Sequence, residues 1–314
     1  MTNLTCFWHP KMGYHDLSLD DKCTDCDRTM RYPLDNPPVR QESLRDFKIV
    51  KAIDRGFYSA TYVAEQGIFG QRLCLKVIPA EIYRLRGKSF TDECRTHHEV
   101  ARGTQHLVAI RDAFDAEILF AGEDDSISCH VAVLDYVSGQ SLREVLEQDE
   151  PISAQTTAQI ALDLLRLLQE LERKQVFHND LHAGNILVQQ LEAGVERGAE
   201  AIDPYTRAVA VDLGSIRDES RSDEAAQIAD SHQVTGHLMR LALRLLPDPV
   251  TAADTDFRLA VALNEIADFL KPDNVTQRTP NYDDLMSNIS AAFVAASSPW
   301  KKPTEGLRRF GDAF

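Results

Sequence analysis

Long apolar runs are missing from this 314-residue sequence, and no stretch approaches the roughly 20 apolar residues that a membrane-spanning helix needs. The opening MTNLTCFWHP has neither a basic region nor an apolar one, so no secretory signal is expected there. Basic charge is scarce. The 34 Lys and Arg stand against 49 Asp and Glu, a formal charge of −15, which argues against nonspecific binding to nucleic acid or anionic lipid. Lys301, Lys302, Arg308 and Arg309 form one small basic cluster near the C-terminus. The 6 cysteines (Cys6, Cys23, Cys26, Cys74, Cys94 and Cys129) are too sparse for a secreted disulfide framework, so a reducing, cytoplasmic setting is expected. What is present suits a packed core: 43% apolar and 26% charged residues.

The organisation changes three times along the chain. Residues 1–31 are rich in Cys, His and Asp and poor in aliphatics. Cys6-x2-His9 and Cys23-x2-Cys26 are pairs whose short spacers turn both ligands inward, as a tetrahedral zinc ion requires; His15 is a possible substitute for His9. So short a segment has almost no core, so zinc would supply most of its folding energy, and its role would be structural or partner-binding. The turn-prone PLDNPP lies in a linker over residues 32–43.

From residue 44 to 138 the pattern is strand-like. FKIVKAI, ATYVAE and RLCLKVI are short β-rich runs, LVAIRDAF and HVAVLDYV add two more, and a polar helix is expected over residues 89–103. From 139 to 300 the pattern is helical. Ser153 can cap a helix whose apolar face is Ile160, Leu164, Leu167, Leu168 and Leu171. A second helix carries Val234, Leu238, Leu241 and Leu245 and stops at Pro247; two more are expected over 254–270 and 281–297. Residues 301–314 read as a tail. Five strands with one helix, followed by a helical half, predict an α+β arrangement in two lobes.

The strongest chemical signal is VFHNDLHAGNILV, residues 176–188. Phosphoryl transfer to a hydroxyl needs a carboxylate to orient the acceptor proton and a nearby oxygen ligand for Mg²⁺, and Asp180 and Asn185 stand five residues apart before a strand. Further on, AVAVDLGS puts Asp212 at the end of an apolar strand beside Gly214, a position that suits a metal ligand.

This pair of motifs resembles the catalytic loop and the Asp-Phe-Gly motif of the protein kinase family, over residues 44–300. The resemblance implies a bilobal kinase-like fold and transfer of the γ-phosphoryl group of ATP, with Mg²⁺, to a hydroxyl acceptor. It assigns Lys76 in RLCLKV to the phosphates and a helix glutamate, Glu99 or failing that Glu93, to pair with that lysine. It aligns DRGFYSATYVA with the family's glycine-rich loop as Asp54, Gly56, Ser59 and Thr61. Only the middle glycine survives, though backbone amides from Phe57 to Ser59 can still cover phosphates. It makes AVLDYVSGQSL a hinge, with Leu134 behind the adenine and the backbone of Asp135 and Val137 in contact with it.

Three departures matter. His182 stands where serine/threonine kinases place lysine, which brings HNDLHAGN closer to small-molecule kinases such as the aminoglycoside and choline phosphotransferases. Few residues separate Asp212 from a helix expected to begin near Asp230, whose carboxylate in the family braces the catalytic loop. Residues 189–207 read as an inserted surface loop. The expectation is a serine/threonine-kinase-like enzyme acting on a protein. The alternatives are a small-molecule kinase and an inactive kinase-like adaptor with a protein partner at the zinc segment.

Overall fold

In the computed structural model, the described residues are 43–55, 59–86, 89–119, 126–191, 205–212, 223–246, 254–271, 274 and 280–294. Cys6, His9, His15, Cys23, Cys26, Gly56, Phe57 and Gly214 lie outside them. The chain divides into two compact units at Val137/Ser138, and Asp212 belongs with the first.

The first unit is an antiparallel sheet with two helices. Its strands are β1 (Ser43–Leu44), β2 (Phe47–Arg55), β3 (Ala60–Gln66), β4 (Gln71–Pro79), β5 (Ile110–Ile118) and β6 (Ile127–Asp135), in the order β1-β2-β3-β4-β6-β5. The helices are α1 (Ala80–Arg86) and α2 (Phe90–Ala101). The sheet therefore has six strands rather than the expected five, and α1 is a second helix. A two-residue strand and a seven-residue helix are both too short to show a period in sequence. Strand alternation builds the core: Leu73, Leu75 and Val77 of β4 pack with Tyr62, Phe114, Val131 and Val133. Ser89 caps α2 by accepting from the Asp92 amide. Phe90, Cys94, His97, Val100 and Ala101 form the buried face of α2.

The second unit is mostly helical. A small sheet of β7 (Gln140–Ser141), β8 (Ile186–Leu191) and β9 (Tyr205–Ala210) is joined by α3 (Leu142–Glu147), α4 (Ala154–Arg173), α5 (Asp223–Leu245), α6 (Asp254–Phe269) and α7 (Tyr282–Val294). As the pattern predicts, Ser153 caps α4, and its buried face includes Ile160, Leu164, Leu167, Leu168 and Leu171. Each such leucine contributes about 1.5–3 kcal/mol on burial. Buried Asp163 of α4 accepts from the Ala208 amide of β9 at 2.9 Å, which ties the long helix to the small sheet.

Two boundaries differ from the sequence reading. The segment 189–207 is not all loop, because Gln189, Gln190 and Leu191 pair with Arg207, Thr206 and Tyr205. Polar side chains on one face of a ladder look like loop in sequence. Helix α5 starts at Asp223, two turns earlier than expected, so Asp230 sits inside it.

Candidate active site

In the first unit the β4 alternation that buries Leu75 and Val77 turns Lys76 to the opposite face, half-buried. Its ammonium forms an ion pair with the Asp212 carboxylate. Asp212 adopts φ 124, a conformation that costs a non-glycine residue about 1–3 kcal/mol and that clusters at functional sites. Cys74 shares this face. Burial pushes its thiol up to about 12 despite the Lys76 charge, so it stays protonated.

Helix α2 lies against β5 and carries both candidate glutamates. Glu99 is exposed, on the side away from the helix's buried face, and the structure does not bring it to Lys76. Glu93 is half-buried, with Oε1 shielded from solvent. One turn on, His97 is fully buried, and its Nε2 lies 2.7 Å from the Val108 carbonyl. A carbonyl only accepts, so Nε2 carries the hydrogen. Burial above all, with help from the Lys76 charge, lowers the His97 pKa to about 4 against the Val108 hydrogen bond, and the ring is neutral. At the end of β6, the Asp135 amide donates to the Ala109 carbonyl at 2.9 Å, and its carboxylate grips the Arg111 guanidinium at 2.5 and 2.6 Å. An adenine contact from Asp135 would therefore have to use its carbonyl. Val137 is half-buried, as is Ser59 just before β3.

In the second unit Asp180 and Asn185 come together. The Asn185 side-chain amide donates to the Asp180 carbonyl at 3.0 Å and to Asp180 Oδ2 at 3.2 Å. A 3₁₀ turn over Ala183–Asn185 makes this approach possible, and the Val211 amide donates to the Asn185 carbonyl at 2.8 Å. His182 caps the turn, its Nδ1 accepting from the Gly184 amide at 3.1 Å. That fixes the tautomer: the hydrogen sits on Nε2, 3.8 Å from Asp180 Oδ1. Asn179 holds φ 62, which asparagine tolerates better than most residues.

Asp230 of α5 accepts from the amides of His178 and Asn179, both at 2.7 Å. Burial pushes its pKa up to about 7; those amide bonds oppose the shift, and the Asp180 charge adds to it. Two further residues on the same helix escaped the sequence reading. Gln233 Oε1 accepts from the Leu181 amide at 2.5 Å, and His237 Nε2 lies 2.7 Å from the Leu181 carbonyl. Their only sequence signal is the spacing i, i+3, i+7 from Asp230, which places all three on one helix face.

Comparison with known proteins agrees with this chemistry. Residues 47–203 match the family profile described as protein kinase domain, a range that holds Lys76, Asp180 and Asn185 and stops before Asp212. A serine/threonine-protein kinase of Schizosaccharomyces pombe is 28% identical over 160 residues, covering 50% of this chain and 14% of that protein. A probable serine/threonine-protein kinase, PknB, of Bifidobacterium longum is 24% identical over 214 residues, 68% of this chain and 28% of its own length. A human dual specificity testis-specific protein kinase 1 is 28% identical over 151 residues, 48% and 21% respectively. The chain thus spans less than a third of these relatives.

Proposed function

The chain belongs to the protein kinase domain family, and from that premise we propose that it is an ATP-dependent phosphotransferase acting on hydroxyl groups of proteins, serine or threonine foremost. The observation that carries the reading is the half-buried ion pair of Lys76 with Asp212, an amine and a carboxylate on a positive-φ backbone, of the kind a triphosphate and its metal use. Lys76 would hold the phosphates, helped by Glu93 rather than Glu99. Asp180 would orient the acceptor hydroxyl and take its proton.

Among the described residues no group of three or more His, Cys, Asp and Glu side chains could hold a metal ion by itself. Magnesium usually takes one or two carboxylates, with substrate phosphates and waters completing its shell; the Asp212 carboxylate of the first unit and the Asn185 side-chain oxygen of the second are each donors of the kind it takes. When bound, Mg²⁺ neutralises charge on the phosphates. The chain's own work is positioning and electrostatic complementarity.

The test is phosphate incorporation by the full chain from labelled ATP into generic protein substrates, beside a panel of hydroxylated metabolites. Transfer to protein that is lost in Asp180→Asn supports the reading. Transfer to metabolites alone moves the assignment to a small-molecule kinase, and no turnover with either moves it to an adaptor.

Two readings rest on sequence alone. Cys6, His9, Cys23 and Cys26 bind one structural zinc ion that shapes a surface for a protein partner. One equivalent of zinc by elemental analysis, lost in Cys23→Ser, supports this; a zinc-free protein sinks it. The protein is proposed to be cytoplasmic, without nucleic-acid or membrane partners, and fractionation of cells expressing it checks this. Among the described residues, no helix is long and apolar enough to cross a membrane.

A further inference from the structure

The peptide that follows Asp180 is held at both of its poles. Its carbonyl, that of Asp180, accepts from Asn185 Nδ2 at 3.0 Å, and its amide, that of Leu181, donates to Gln233 Oε1 at 2.5 Å. The next carbonyl along, that of Leu181, meets His237 Nε2 at 2.7 Å. Leu181 itself is fully buried, and His237 is 7% exposed. Because the Leu181 carbonyl only accepts, His237 must carry its hydrogen on Nε2, the donor state of a neutral ring. Burial, chiefly, lowers the pKa of His237 and keeps it neutral.

We infer that Gln233 and His237 are positioning residues for the phosphoryl transfer: by gripping Leu181 from α5, they fix the backbone torsion that aims the Asp180 carboxylate. The inference rests on the proposed role of Asp180. A peptide that can turn swings the side chain before it, and a misplacement near 1 Å costs about a hundredfold in rate. The arrangement is separate from the Asp230 contact, which secures the amides of His178 and Asn179, upstream of Asp180. It also differs from satisfying a buried backbone with whatever is near. An acceptor meets the amide and a donor meets the carbonyl of one residue, and both come from a single helix face.

Paired substitutions separate positioning from simple support. Gln233→Met removes the acceptor and Gln233→Glu keeps one. His237→Leu removes the donor, and His237→Gln puts an amide hydrogen near the place of Nε2. All are made in the full chain, with thermal unfolding measured alongside. Gln233→Met and His237→Leu are expected to lower kcat about tenfold to a hundredfold while KM for ATP stays within about twofold, and Gln233→Glu and His237→Gln to recover most of the loss. Folded Gln233→Met and His237→Leu proteins with undiminished kcat, or a change confined to KM, overturn the inference.

Hydrogen exchange at the Leu181 amide reads the grip without any turnover. Strong protection in the unmodified chain that falls at least tenfold in Gln233→Met supports it, and unchanged protection overturns it. Should the unmodified chain transfer no phosphate, the proposed activity fails while the exchange result still decides whether the grip exists.

Discussion

The two units hold their reactive groups by different means. In the first, Lys76 sits on a strand whose alternate residues are locked in a core, and its ammonium is set by a side-chain partner, Asp212. In the second, Asp180 sits on a loop whose main chain is gripped by Asp230, Gln233 and His237, while its carboxylate receives one long hydrogen bond, from Asn185. A group that binds charge can be placed by the charge it meets. A group that must point at an incoming hydroxyl is better placed through its backbone, which leaves the carboxylate free to receive a proton.

The largest effect that breaks the comparison comes from the reactive groups themselves. Asp180→Asn should lower kcat about 10²–10⁴-fold with nucleotide affinity little changed, whereas Lys76→Met should weaken ATP binding in a direct titration as well as slow turnover. Equal loss of ATP affinity in both variants would show that the division of labour is wrong.

A backbone lesion comes next. A Cβ on Gly139 would stand 2.3 Å from the Val188 carbonyl oxygen and 2.8 Å from its carbon, so Gly139→Ala must push the start of β7 away from β8. It should cost about 1–3 kcal/mol in denaturant unfolding, comparable to other overpacking, and should disturb the second unit first. Glu93→Gln should slow transfer about tenfold, about 1.4 kcal/mol, while Glu99→Gln stays near the unmodified rate. The reverse order in steady-state kinetics would restore Glu99.

The smallest effect is the most specific: two buried groups, His97 in the first unit and Asp230 in the second, should answer pH in opposite directions. The pKa of His97 is lowered to about 4, so its contribution to stability is full above the usual imidazole value of about 6.5 and is lost as pH falls toward 4. Asp230 is raised to about 7, so its contribution is full below the usual carboxylate value of about 4 and is lost as pH rises through 7. Thermal unfolding between pH 4 and 7.5 should therefore show His97→Gln losing less stability on acidification than the unmodified chain, and Asp230→Asn losing less on alkalinisation. Parallel curves for either variant would remove that residue from the account.

The frame of the site was legible because strong periodicities and local motifs carry it. RLCLKV announces a strand with one outward lysine, Ser153 precedes a leucine series, and HNDLHAGN packs its chemistry into eight residues. What was not legible depends on direction or distance. Preferring Glu93 to Glu99 needed the rotation of α2, which is set by the buried face of Phe90, Cys94, His97, Val100 and Ala101. Helix α3 had a readable start, the capping box of Ser141 and Glu144, but ends after six residues. The grip on Leu181 joins positions 52 and 56 residues apart, and no local pattern reports it.

The ladder of β8 and β9 carries a practical consequence. Leu191 and Tyr205 face each other across it, so the chain leaves the small sheet and re-enters it at neighbouring points. Lengthening a loop whose ends are held this way raises its closure cost by only about 0.6 kcal/mol for each doubling of its length. A reporter peptide or affinity tag spliced after Leu191 should thus be accommodated with Asn185 and Val211 still joined, giving a handle for immobilising the protein without breaking that contact.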